Sequence, residues 1–166
     1  MASGLCPTDV RIFKFGSSAV KPPVTMGHEF SGIVAEAVNV ESLSRGKRVN
    51  IPADLFCGKC YMYRIGRENL CEDSMSFGYN VDGSHAEYVK IPRRASERGL
   101  YFRIPPEISF EEATFTEPLA CCINSIETMK ISSDKSIAVI GDGPIGLLHI
   151  QLAKLYGQKN NLNRTS

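Results

Sequence analysis

The amino-acid sequence predicts a mixed α and β protein: a β-rich, partly open barrel through about residue 105, then a helical connection, then a single β–α unit. Three observations carry this. Up to about residue 105 the chain consists of short extended runs broken by Gly and Pro. Near Pro105-Pro106 the texture becomes helical. From Ser136 an apolar run, a glycine turn and a second apolar run follow one another, as strand, turn and helix do.

The elements follow in order. Ser31–Val38, Lys47–Ile51 and His85–Ile91 cluster or alternate β-formers and are expected to be strands, punctuated by Gly27, Gly46, Gly78, Gly83, Pro52 and Pro92. Ser109-Phe110-Glu111-Glu112 has the form of a capping box and starts a helix. A second helix is expected over Leu119–Met129, and a strand over Ser136–Ile140. Ile145, Leu147, Leu148, Ile150, Leu152, Ala153 and Leu155 predict a final helix buried on most of its surface. The tail from Gln158 to Ser166 is polar and offers no second parallel strand. The expected segments are 1–105 for the β-rich domain, 106–135 for the helical connection and 136–166 for the start of the α/β domain.

Composition narrows the function. Apolar residues make up 43% and charged residues 22%, the balance of a globular domain with its own core. A formal net charge of +1 gives no basic excess for nucleic acid. No apolar run approaches the ~20 residues that span a bilayer. The first residues lack the basic start and long apolar stretch of a secretion signal, so a soluble cytoplasmic protein is expected, with its cysteines reduced. Cys121 and Cys122 lie in an apolar segment and read as buried small hydrophobes.

Gly141-x-Gly143-Pro144-Ile145-Gly146 follows the expected strand and opens the expected helix, the context a dinucleotide fingerprint requires. The first Gly permits the tight turn, the second lets a pyrophosphate approach the backbone, and the third lets helix and strand pack closely. The acidic residue expected about 20 positions on, which would hold the ribose, is missing. Asn-Leu-Asn-Arg-Thr-Ser stands there, so NAD and NADP both stay open. A single strand also forms no crevice for a dinucleotide.

Gly27-His28-Glu29 places an imidazole beside a carboxylate, and Cys6-Pro7-Thr8-Asp9 supplies a thiol, a hydroxyl and a second carboxylate. A catalytic zinc takes three protein ligands of N, S or O type and keeps a fourth position open. Taken singly, His28 reads as a hydrogen-bonded structural histidine and Cys6 as a small buried residue.

Five motifs in order resemble the zinc-containing medium-chain alcohol dehydrogenases: Cys6-x-Thr8-Asp9, Gly27-His28-Glu29, Asp82-Gly83-Ser84-x-Ala86-Glu87-Tyr88, Glu117-Pro118-Leu119-Ala120-Cys121 and the glycine turn. The Glu117–Ala120 segment is most similar to the sorbitol (polyol) dehydrogenase branch. The resemblance extends to about Gly157. It implies a GroES-like catalytic domain followed by the start of a Rossmann domain. Cys6, His28 and Glu117 are then zinc ligands, with Glu29 beside the metal as an alternate ligand or holding its water. Thr8 relays the proton of the substrate hydroxyl, and Asp9 orients His28. Gly141, Gly143, Pro144, Ile145 and Gly146 bind the cofactor. Arg11 stands where many relatives place a relay histidine.

The implied activity is transfer of hydride between a small secondary alcohol or polyol and NAD(P), assisted by zinc, in a parent that forms a homo-oligomer. Relatives begin before the Cys6 box and continue well beyond Gly157, so the resemblance implies a piece cut at both ends. The competing expectation is a non-catalytic zinc-binding remnant or isolated domain without cofactor binding. A zinc-free quinone-reductase-like relative is disfavoured, because such proteins usually lack the Cys6, His28 and Glu117 set.

Cys57-Gly58-Lys59-Cys60-x-x-Tyr63 with Cys71 is similar to the family's four-cysteine structural zinc lobe, with Tyr63 in place of the third cysteine. Either Cys57, Cys60 and Cys71 hold a structural zinc with an outside ligand, or they form a metal-free loop with free thiols. His85, where relatives usually carry an aromatic residue, is expected to pack. His149 is expected to be structural, and Arg93, Arg94 and Arg98 a solvated loop.

Overall fold

The computed structural model describes residues 1–38, 40, 43–130 and 136–157. In chain order the elements are β1 (Ala2–Gly4), α1 (Pro7–Phe15), β2 (Glu29–Ile33), β3 (Arg48–Asn50), β4 (Asp54–Leu55), α2 (Tyr61–Arg64), a 3-10 turn (Glu68–Leu70), β5 (Met75–Ser76), α3 (Arg93–Glu97), β6 (Phe102–Arg103), α4 (Phe110–Thr114), α5 (Thr116–Met129) and α6 (Pro144–Leu155). The chain divides into two compact units, one from Met1 to Thr116 and one from Glu117 onward. No helix among the described residues is long and apolar enough to cross a membrane.

In the first unit an antiparallel four-stranded sheet runs in the order β1-β2-β3-β6, and β4 pairs with β5 in a second sheet. Neighbouring residues of a strand point to opposite faces, and β2 uses both. Phe30 enters the apolar core with Val49, Ile51, Leu55, Phe77, Ala95 and Leu100, meeting Phe77 edge-on at 5.2 Å between ring centroids. Ser31 faces α4 instead, and its hydroxyl donates to the Phe110 carbonyl at 2.7 Å. Its cross-strand partner Asn50 donates to the carbonyls of Phe30 and Ala113 at 2.8 and 3.0 Å. Two buried polar side chains thus clamp α4 onto the sheet.

The capping box of α4 forms as expected. The Ser109 hydroxyl accepts the Glu112 N–H at 3.1 Å, and the Glu112 carboxylate accepts the Ser109 N–H at 2.7 Å. These bonds hold the Glu112 carboxyl below its ordinary pKa. In the second unit, Cys122 and Ile126 of α5 meet Leu152 of α6, flanked by Leu119, Ile123 and Leu148.

Several expectations need correction. A nine-residue helix, α1, lies inside the region read as all β. Strand β2 ends at Ile33, short of the expected Val38; beyond it Val34 donates to the Lys47 carbonyl and accepts the Gly46 N–H. Residues 85–91 form no strand. The N–H groups of Gly83, Ser84 and His85 bond the carbonyls of Thr25, Gly27 and Met26, and the ladder goes no further. Arg93 and Arg94 open the short helix α3, and Arg94 is no solvated group. It donates to the carbonyls of Leu55 and Asp73 and pairs with the Asp73 carboxylate at 3.0 Å.

The second unit also differs from expectation. Helix α5 starts three residues earlier than expected, since Pro118 is tolerated in a first turn. Ser136–Ile140 is not a strand, because no described segment pairs with it, and Ile140 is 95% exposed. Helix α6 buries only Leu152 and Ala153, leaving Ile145, Leu147 and Leu155 exposed. Cys122 is buried, but Cys121 is exposed. Residues 131–135 of the connecting segment and the tail from 158 lie outside the described residues.

Candidate metal centre

Helix α1 builds half of the site. Cys6 sits at its N-cap in extended conformation, with Pro7 in the first turn, where the missing proline N–H costs nothing. The Cys6 sulfur accepts the Thr8 N–H at 3.5 Å. Asp9 reaches back so that Oδ2 accepts the Cys6 N–H at 3.1 Å, a carboxylate at the positive end of a helix. Gly16 ends the helix with φ +72 and donates to the Ile12 carbonyl at 2.8 Å.

Strand β2 supplies the other half. His28 is buried and immediately precedes Glu29, the first residue of the strand. Glu29 is register partner to Gly4, and its carboxylate occupies the space a β-carbon on Gly4 would need. Gly27 has φ +101, and a β-carbon there would stand 2.6 Å from Ser84 Oγ and 2.8 Å from His85 Nδ1. Glycine is therefore required before His28 for conformation and for the close approach of residues 84 and 85.

Cys6 Sγ, a His28 ring nitrogen and a Glu29 carboxylate oxygen lie within 4.8 Å of one another. Sulfur, nitrogen and oxygen donors are the set zinc accepts. The buried pair behind them supports this fit. His28 Nδ1 stands 3.4 Å from Asp9 Oδ1, and among the described residues neither atom has another hydrogen-bond partner. A carboxylate on the inner nitrogen fixes the tautomer and leaves the outer nitrogen for a metal. Tyr79 packs against His28, with ring centroids 6.2 Å apart. Its hydroxyl pKa is raised by burial and then by the nearby Cys6 and Asp9, while Arg11 opposes the shift.

The remaining site residues are each described within their own unit. Thr8 is half-buried in the first turn of α1. Glu117 is half-buried in the first turn of α5, in the second unit, within 3.6 Å of the Cys121 sulfur. At the glycine turn Gly141 has φ +106, and both it and Gly143 have open space where a side chain would be. A β-carbon on Gly146 would overlap the Gly141 carbonyl, so this glycine is required by the turn itself. Pro144 and Ile145 form the first turn of α6. His149 Nδ1 lies 2.9 Å from the Ile145 carbonyl.

Cys57, Cys60 and Cys71 form the second group, also within 4.8 Å of one another. Their sulfurs accept backbone N–H groups, among them Cys71 from Cys57 at 3.2 Å, Cys57 from Cys60 at 3.4 Å, and Cys60 from Tyr63 at 3.4 Å. The Tyr63 ring stacks on Phe56 at 5.3 Å. Cys57 is brought down to about 7, first by the Lys59 N–H, whereas burial pushes Cys71 up.

Three side chains at this centre were not expected from sequence. Tyr79 carried no motif. His85 was expected to pack, and instead it sits partly exposed with Nε2 3.7 Å from Asp9 Oδ2 and Nδ1 3.1 Å from Ser3 Oγ. Ser3 Oγ in turn lies 2.7 Å from Ser84 Oγ. Signals at positions 3, 9 and 85 are too far apart in the chain for any spacing rule to link them.

Residues 1–98 match the model of the alcohol dehydrogenase GroES-like domain. The chain belongs to that family. It is 38% identical over 160 residues to an L-threonine 3-dehydrogenase of Caldanaerobacter subterraneus subsp. tengcongensis, covering 94% of this chain and 44% of that protein. It is 33% identical to a sorbitol dehydrogenase of Bacillus subtilis, over 95% of this chain and 44% of the relative. A structure described as a zinc-binding dehydrogenase from Sinorhizobium meliloti 1021, bound to NADP, superposes with TM-score 0.84 at 39% identity, covering 94% of this chain and 44% of that one. This member of the medium-chain dehydrogenases thus spans under half the length of the relatives it matches.

Proposed function

We propose that these residues are the metal-holding catalytic part, with the start of the cofactor-binding part, of an NAD(P)-dependent dehydrogenase for small secondary alcohols or polyols. The observation that carries this is the convergence of Cys6, His28 and Glu29 donor atoms within 4.8 Å, backed by the buried Asp9–His28 pair. Names among the relatives support the substrate class, since sorbitol and threonine both carry a secondary hydroxyl. The corresponding segments are 1–105 for metal and substrate, 106–135 as connection and 136–166 for the cofactor.

Cys6 and His28 would hold zinc, with Glu117 as third protein ligand and Glu29 as the alternate. Bound there, zinc supplies a Lewis acid that makes an oxygen ligand more acidic, and the nicotinamide supplies the hydride acceptor. The chain's own residues do the rest. Asp9 orients His28 from behind, Thr8 passes a proton outward, and Tyr79 shields the imidazole from water. Arg11 is a permanent cation and transfers no proton, so a proton leaving Thr8 goes to solvent.

Metal analysis tests the reading. The chain should carry a zinc ion that is lost on Cys6→Ser or His28→Ala and kept on Cys60→Ser. A chain that takes up no zinc, or keeps all of it in the first two variants, would sink the proposal. A second ion lost on Cys60→Ser would assign the three-cysteine lobe as a metal site. A non-catalytic zinc-binding unit is the alternative, favoured by the absence of any described strand beside the glycine turn.

A further inference from the structure

We propose that His85 is a positioning residue for the metal centre, acting on His28 through Asp9. This rests on the zinc reading above and goes beyond it, because it assigns work to a side chain outside the ligand set.

The argument begins with Asp9, a carboxylate only 4% exposed. Its Oδ1 faces His28 Nδ1 at 3.4 Å, and its Oδ2 accepts the Cys6 N–H at 3.1 Å. One rotation about the carboxylate thus decides whether Oδ1 lines up with the His28 ring. Oδ2 also faces His85 Nε2 at 3.7 Å, an electrostatic contact longer than a hydrogen bond. Asp9 lies between two imidazoles: one buried and turned to the metal position, the other on the solvent side.

His85 is itself held in place. The backbone at residues 83–85 bonds to residues 25–27, and Gly27 leaves room for the ring. One proton assignment satisfies the whole row. Ser84 donates to Ser3 at 2.7 Å, and Ser3 donates to His85 Nδ1 at 3.1 Å. His85 Nε2–H then points at Asp9 Oδ2. With that oxygen engaged by Cys6 and His85, the carboxylate is fixed with Oδ1 toward His28 Nδ1–H. The His28 ring keeps one tautomer and one orientation, with its outer nitrogen free to bind. Without His85 the carboxylate can turn or recruit water, and the imidazole loses its fixed direction.

The test uses the intact chain, its His85→Phe variant, which keeps a ring but no nitrogen, and its His85→Gln variant, which returns an N–H near the Nε2 position. Zinc affinity is measured by competition with a chromophoric chelator. The ring N–H of His28 is followed by proton NMR in the cobalt(II)-loaded protein, a signal that the histidine-free three-cysteine lobe does not produce. Removing an outer-shell partner of a metal ligand weakens binding ~10–100-fold. For His85, one contact further out, a loss of roughly 3–10-fold is expected in the Phe variant, together with faster exchange of the His28 N–H. The Gln variant should recover most of both.

Wild-type affinity and an unchanged N–H signal in the Phe variant would overturn the role of His85 while leaving the zinc centre standing. Equal weakening in Phe and Gln would mean that the ring only fills space, and would overturn it too. Failure of the unmutated chain to bind zinc would bring down the parent reading and this inference together.

Discussion

Cys57 shows how a residue's chemistry is set by backbone geometry. A free thiol near its ordinary value of 9.0 is neutral at physiological pH, whereas here N–H groups of Lys59 and Cys60 and the neighbouring thiols bring it to about 7 against the opposing effect of burial. The sign follows directly. A lowered value means the fold favours the thiolate, so this contribution to stability is fully present above about 9 and is lost as pH falls through about 7. In chelator-treated protein the ultraviolet absorbance of thiolate should rise with a midpoint near 7, and that step should vanish in Cys57→Ser. A first midpoint near 9 would contradict the arrangement. The same residue-level logic explains what could be read in advance. Cys6, His28 and Glu29 could be singled out as candidates, because each sits in a short motif that resembles the family's. His85 and Tyr79 were missed because their importance lies in contacts with residues far away in sequence.

Among the elements, α4 is held by a specific polar clamp. Asn50, 5% exposed, donates to one carbonyl of β2 and one of α4, and Ser31 beside it bonds α4 a second time. Asn50→Ala would leave two buried carbonyls without this donor, at ~1–3 kcal/mol for each unsatisfied group with partial relief from water. The expected loss of unfolding free energy is therefore about 2–3 kcal/mol, measured by urea denaturation; a loss below ~0.5 kcal/mol, the size of an ordinary surface change, would show that the clamp is unimportant. The α4 capping box was readable because its two partners are three residues apart. Helix α1 was not, and its pattern of burial says why. Only Asp9 and Ile12 are buried, while Phe13 and Phe15 are 87% and 80% exposed. Its apolar residues therefore make no inward stripe of helical period. Residues 85–91 mislead in the opposite sense, since β-formers alone do not create a strand without a neighbour to pair with.

For the whole molecule, the separation of metal centre and glycine turn into two compact units bears on what this length of chain can bind. The first unit carries Cys6, His28 and Glu29 in one place. Among its described residues, the second offers to a dinucleotide the turn Gly141–Gly146 and the N-terminus of α6. A dinucleotide normally lies across a crevice between parallel strands, and none of the described residues of this unit forms a strand. The energies decide the outcome. A phosphate at a helix N-terminus gains roughly 0.3–2 kcal/mol, while a dissociation constant of even 1 mM needs about 4 kcal/mol. The 166 residues should therefore produce no enhancement of NADH fluorescence at concentrations up to about 1 mM, whether or not zinc is bound. Binding in the micromolar range would require about 8 kcal/mol and would mean that these residues complete a cofactor site on their own.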